Sequence, residues 1–232
     1  MGKDVIIACD FPSKEATLEF LDKFTGKKPY VKIGMELFYS EGLDIVREIK
    51  ARGHQIFLDL KLHDIPNTVE KAMAALSKLD VDMCNVHAAG TKAMMEAAVR
   101  GLTREDGTRP LLIAVTQLTS TSQERMQEDL LIKEDIDKVV IKYAQNAMES
   151  GLDGVVCSPL EGTIVKEACG DDFFTVTPGI RFADDAKGDQ KRVTTPAMAK
   201  EIGSHFIVVG RPITAAEDPV AAYERCVREF VD

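Results

Sequence analysis

Residues 57–69 read FLDLKLHDIPNTV, and the fold turns on this stretch. Phe57, Leu58 and Leu60 read as part of an apolar, strand-like run, yet Asp59, Lys61 and Asp64 load its end with charge, and His63-Asp64-Ile65-Pro66 stops it. Working outward, short β-branched runs that close on a polar residue or glycine recur along the chain. They are VIIACD (5–10), YVKIG (30–34), QIFLDLK (55–61), VDMCNVH (81–87), LLIAVT (111–116), DGVVCS (153–158), FFTVTPG (173–179) and HFIVVGR (205–211). Segments such as SKEATLEFLDKF, GLDIVREIKARG and TVEKAMAALSKL fall between them, with apolar residues at the three- and four-residue spacing of a helix. An open doubly wound sheet shows the same alternation but gathers its functional residues at one switch point. Polar ends on nearly every run (Asp10, Lys32, Lys61, His87, Thr116, Ser158, Thr177, Gly210) fit a barrel, whose strands all open on one face. The expectation is a (β/α)8 TIM barrel, with residues 1–232 as a single catalytic domain and no linker, repeat or low-complexity tract.

Composition narrows the function. The 232 residues are 45% hydrophobic, enough for a sizeable core, and no stretch reaches the length of a membrane span. The opening MGKDVIIACDF meets an acid too early for a signal peptide, and its core-like Val5-Ile6 argues against a myristoylated start. A net charge of −9 speaks against nucleic acid or an anionic membrane as partner, while leaving room for a small anion bound in a cationic pocket. Cys9, Cys84, Cys157, Cys169 and Cys226 are odd in number and lack a CxxC spacing, which suggests a reducing cytoplasm.

Alternation along a strand places Asp59 and Lys61 on one side, where Lys32 from the neighbouring strand and Asp64 could join them. Two acids flanking an ammonium favour its charged form, so Lys61 reads as a proton donor and not a Schiff-base nucleophile. A salt-bridge network that only closes the barrel end would read the same way.

The run Asp59-x-Lys61-x-x-Asp64-Ile65-Pro66-x-Thr68 resembles the signature of orotidine 5′-phosphate decarboxylases. The resemblance extends over essentially the whole chain, through ACD (8–10), VKIGMELF (31–38), NVHAAG (85–90), AVTQLTS (114–120), TPGIR (177–181) and VVGRPIT (208–214), with Asn67 as a variation beside Thr68. It implies cofactor-free conversion of orotidine 5′-monophosphate to UMP and CO2 in pyrimidine biosynthesis. Under it Lys61 is the proton donor, Asp59 lies near the substrate carboxylate, and Asp10 and Lys32 bind the ribose hydroxyls. The resemblance further implies a homodimer in which Asp64, Ile65 and Thr68 reach the neighbour's site, and a pyrimidine contact from Thr119.

Two further segments read as an anion site on their own chemistry. TPGIR and VVGRP end the seventh and eighth runs, where barrels of this class commonly hold phosphate. Gly210 would admit a close backbone approach, and Arg181 and Arg211 offer bidentate donors. RFADDAKGDQKR (181–192), between them, has the composition of a lid or of a plain surface loop. The resemblance favours the lid and implies that Arg181, Gln190 and Arg211 grip the phosphate.

The four histidines show no metal spacing: His63 reads as structural, His87 as packing with a weaker claim on the site, and TKAMMEAAV (91–99) as helix packing, at a subunit interface or within the chain, in preference to a binding groove. No metal or cofactor motif is expected. Two alternatives stay open. One is a related barrel decarboxylase acting on a sugar phosphate such as 3-keto-L-gulonate 6-phosphate, through a metal-dependent enediolate; Ile65-Pro66-x-Thr68 argues against it. The other is a module that binds UMP-like ligands without turnover.

Overall fold

Each apolar run becomes a parallel strand, and the eight close on themselves in chain order. The computed structural model describes residues 3–183 and 194–232. The strands are β1 (Asp4–Ala8), β2 (Tyr30–Gly34), β3 (Ile56–Leu62), β4 (Met83–His87), β5 (Leu111–Val115), β6 (Gly154–Val156), β7 (Phe174–Thr177) and β8 (Phe206–Val209). This is the expected single-domain (β/α)8 barrel, with β8 pairing back onto β1.

Side-chain alternation splits the core in two. One cluster, including Ile6, Tyr30, Phe57, Met83, Ile113 and Phe206, fills the barrel interior. The intervening residues, such as Val5, Val31, Leu58 and Cys84, face outward and pack against the helices. No helix among the described residues is long and apolar enough to cross a membrane.

Local chemistry sets the helix boundaries. Ser13 caps the helix Lys14–Asp22 by accepting a hydrogen bond from the Ala16 N–H, and Thr195 and Asp218 cap two later helices in the same way. The helix expected from Thr68 begins at Pro66, because proline at the first position has no N–H to lose and its φ already suits a helix. That helix packs very closely on Thr91–Leu102, where a Cβ on Gly101 would lie 2.1 Å from the Glu70 carbonyl oxygen.

Candidate active site

The interior columns carry the site. Reading up β2, β3 and β4, an apolar residue is followed two positions later by a polar one: Tyr30 then Lys32, Phe57 then Asp59, Met83 then Asn85. Residues two positions apart face the same side of a strand, so Lys32, Asp59 and Asn85 stand side by side above the hydrophobic plug. Asp10, just beyond β1, continues the column of Ile6 and Ala8.

These groups form one chain of contacts. Lys32 Nζ lies 2.9 Å from Asp10 Oδ1 and 3.4 Å from Asp59 Oδ2. Lys61 Nζ donates to Asp59 Oδ1 at 2.6 Å. Asn85 Nδ2 donates to that same oxygen at 2.6 Å, and Asn85 Oδ1 accepts the Lys61 backbone N–H at 2.8 Å. Lys32, Asp59 and Asn85 are buried, whereas Lys61 is half-buried and Asp10 exposed. Burial by itself raises the Asp59 carboxyl, but Lys32, Lys61 and the hydrogen bonds from Lys61 and Asn85 outweigh it and hold the group below the usual carboxylate range. Burial likewise works to lower the Lys32 ammonium, and the Asp59 and Asp10 carboxylates reverse that, leaving it above the ordinary lysine range.

Two expectations need correcting. Asp59 and Lys61 do meet, but not through regular alternation. The β3–β4 register slips between Leu58 and Leu62, and Lys61 takes a left-handed φ of 52°. Within one chain, moreover, the acid beyond Lys32 is Asp10, and Asp64 stands apart from the array. Asp64 is exposed, and its Oδ1 accepts the Ile65 N–H at 2.7 Å. The motif places Asp64 in the loop just ahead of the helix that starts at Pro66, on a groove that Lys61 also lines.

Two contributors were not singled out in the sequence. Asn85 opens the NVHAAG motif and falls two residues after the inward Met83, but neither signal gave it a role. Gly34 follows β2, and a Cβ there would sit 3.0 Å from Asp10 Oδ1 and 3.1 Å from Lys32 Nζ, so only glycine leaves that ion pair undisturbed.

A cavity of about 160 Å3 opens above the array, lined by Lys32, Asp59, Lys61, Gln117, Thr119 and Pro178 among others. Thr119 therefore does face the same space as the charged groups. Beyond Lys61 lies a larger groove of about 640 Å3 whose lining includes Met35, Tyr39, Leu43, His63, Asp64 and Thr68. Its rim is strongly apolar and open, with Tyr39 72% and the adjoining Ile65 66% exposed. His63 belongs to this groove, 5.6 Å from the His87 ring. Burial, with help from His63 and Lys61, keeps the half-buried His87 below its ordinary value against an opposing pull from Asp59.

The two arginines lie at the ends of neighbouring strands, since β7 pairs with β8. Arg181 is buried and donates from Nη1 to the Ile180 carbonyl at 2.8 Å, while Arg211 is exposed and opens a short helix, Arg211–Thr214. The turn before Arg181 uses Gly179 at φ 84°. At Gly210 a Cβ would meet Ala8 Cβ at 3.7 Å, an ordinary contact, so packing within the described residues does not demand glycine there. Gln190, and residues 184–192 of the expected lid, lie outside the described residues. Among the described residues no group of three or more His, Cys, Asp or Glu is arranged to hold a metal ion.

A charged, partly dry chain of alternating lysines and aspartates at the mouth of a closed (β/α)8 barrel fits the class of barrel enzymes that act on a small charged substrate. Residues 3–226 match the family model described as the orotidine 5′-phosphate decarboxylase / HUMPS family, and the chain belongs to that family. It is 56% identical over 233 residues to the orotidine 5′-phosphate decarboxylase of Bacillus cytotoxicus, covering 99% of this chain and 98% of the relative. It is 55% identical, at the same coverage, to that of Bacillus cereus. The crystal structure of the orotidine 5′-phosphate decarboxylase from Lactobacillus acidophilus superposes with a TM-score of 0.89 at 44% identity, covering 99% of this chain and all of that one (100%).

Proposed function

We propose that this chain decarboxylates orotidine 5′-monophosphate to UMP and CO2 without a cofactor, as a step of pyrimidine biosynthesis in the cytoplasm. The observation that carries the reading is the Asp10–Lys32–Asp59–Lys61 chain, built on a barrel that shares more than half its residues with decarboxylases of that name.

The chemistry follows from where charge forms. Breaking the C6–carboxylate bond releases CO2 and leaves the electron pair on C6 of the pyrimidine, which has no neighbouring electron sink. The Lys61 ammonium, held by Asp59, gives that carbon its proton and is reprotonated from solvent. Asp59 faces the departing carboxylate and raises the energy of the bound substrate. Two unit charges about 4 Å apart interact by roughly 4 kcal/mol at an effective dielectric near 20. A large enzymatic acceleration needs on the order of 20 kcal/mol. Repulsion alone therefore falls short, and stabilisation by Lys61 of the charge as it develops is the larger contributor.

Binding divides along the mouth. The 160 Å3 cavity suits a ring more than a whole nucleotide, so the pyrimidine takes the space beside Thr119. Asp10 and Lys32 bind the ribose hydroxyls, and Arg181, Gln190, Gly210 and Arg211 take the phosphate. Phosphate binding then helps order the reacting end, where remote binding energy raises kcat.

We further infer a homodimer with shared sites. The apolar groove beside Lys61 is larger than an isolated surface needs to expose, and Asp64, Ile65 and Thr68 stand on its rim. A two-fold copy seated there would bring its Asp64 to the Lys61 of the first chain, with Ile65 and Thr68 beside it.

Loss of orotidylate absorbance, with UMP as product and unchanged rate after chelation, tests the activity. Binding without turnover would overturn it in favour of a sensing module, and loss of rate on chelation would point to the metal-dependent sugar-phosphate relatives.

A further inference from the structure

Asn85 is a buried polar side chain at the barrel mouth, in contact with the charged array, for which the reaction above has no use. It is 1% exposed on β4. The β3–β4 ladder runs Leu58 opposite Cys84 and resumes with Leu62 opposite Val86, so β3 carries two more residues than β4 over that interval. Lys61 lies in the excess, at φ 52°, and its N–H donates to Asn85 Oδ1 at 2.8 Å. The other end of the same amide donates to Asp59 Oδ1 at 2.6 Å, the oxygen that also receives Lys61 Nζ. The amide orientation is unambiguous, because its oxygen must meet an N–H and its nitrogen a carboxylate.

We propose that Asn85 is a positioning residue whose amide ties the Lys61 backbone to the Asp59 carboxylate. One Asp59 oxygen is thereby committed to Lys61 and the other left facing Lys32, at 3.4 Å, before substrate arrives. The bulge lets a lysine leave the regular pleat and aim its ammonium into the cavity, and Asn85 holds the bulge in that one shape. The kinetic consequence rests on the decarboxylase reading, whereas the consequence for Asp59 titration rests on the geometry alone.

Asn85→Ala removes both hydrogen bonds. Its kcat should fall about 10- to 100-fold while KM stays within about threefold, because the sugar and phosphate contacts lie elsewhere. Asn85→Asp keeps the volume and the acceptor for the Lys61 N–H but sets a carboxylate against Asp59. The charged and titratable groups around Asp59 are Lys32 on β2, Lys61 on its own strand, Asp10 through Lys32, and His87 at the end of β4. A like charge added among them raises the Asp59 pKa, so the acid limb of the kcat–pH profile should move to higher pH by about one unit or more. A packing role alone would not move that limb. The unsubstituted protein is assayed in parallel: if it does not turn over orotidylate, the decarboxylase reading fails. The Asn85 proposal is then decided by a carbon-13 NMR titration of Asp59 in the ligand-free protein and in Asn85→Asp. Should Asn85→Ala fail to fold, Asn85→Asp carries the test. The proposal is overturned by a parallel loss in kcat and binding, by an unmoved acid limb, or by an Asp59 titration that is the same in both proteins.

Discussion

Lys61 has a single carboxylate partner among the described residues of its own chain, and the proposed reaction makes it the proton donor. Lys61→Ala should abolish decarboxylation while leaving nucleotide binding measurable by calorimetry, since the phosphate contacts are untouched; near-normal turnover would remove Lys61 from the reaction. Arg211→Ala tests the proposed phosphate grip at the other end of the substrate. A charge-assisted hydrogen bond is worth roughly 1.5–3 kcal/mol, so kcat/KM for the nucleotide should drop about 10- to 150-fold. A substrate lacking phosphate should be hardly affected, and equal losses on both would refute a phosphate role. The buried pair also makes stability depend on pH. The folded Asp59 carboxyl titrates below its unfolded value of about 3.9, so its contribution is complete above that value and is lost as pH falls through the folded one. Lys32, raised when folded, mirrors this: its contribution is complete below an unfolded value of about 10.4 and is lost as pH rises through the folded one. Urea unfolding of Asp59→Asn across the acid range should therefore show a shallower loss of stability than the parent, and parallel curves would contradict the assignment.

At the scale of elements, the helix Pro66–Leu76 carries Thr68 and leaves Asp64 and Ile65 just ahead of its first turn. Its position is set by contact with the helix Thr91–Leu102 at Gly101. A methyl there would meet the Glu70 backbone, which cannot swing aside like a flexible side chain, so the helices must part. Gly101→Ala should cost about 1–3 kcal/mol in denaturant unfolding, with the same transition slope. It should also impair activity through the displaced Asp64 segment; unchanged stability would mean that the helices do not pack this closely. The Met-Ala run 91–99 thus belongs to helix packing, with Met94, Met95, Ala97 and Ala98 all buried.

For the whole molecule, the question is whether one chain makes a complete site. Asp64 sits on the rim of an apolar groove beside its own Lys61, and in a two-fold dimer any borrowing must be reciprocal. Mixing Lys61→Ala subunits with Asp64→Ala subunits gives hybrids in which one site carries both lesions and the other neither. Activity should return when the two nearly inactive proteins are unfolded together and refolded. Hybrids that form yet stay at the parental level would show that Asp64 serves its own chain.

Much of this is legible in the sequence, for a local reason. Burial imposes periods of two and 3.6 residues on the chain, so the eight strands, their inward faces and the polar residues that end them are written in order along it. Lys32, Asp59 and Lys61 could be grouped from that pattern, and the match of motifs across the chain named the family. The remainder depended on how neighbouring strands align, which no single strand encodes. Only the slipped β3–β4 register turns Lys61 into a left-handed conformation and gives its N–H to Asn85. Only the approach of β1 to β2 makes Asp10 the partner of Lys32 and crowds Gly34 against that ion pair. Asp64, close to Lys61 in sequence, stays out of the array because its exposed carboxylate accepts the neighbouring Ile65 N–H in the loop ahead of Pro66, a local bond that sequence spacing does not reveal.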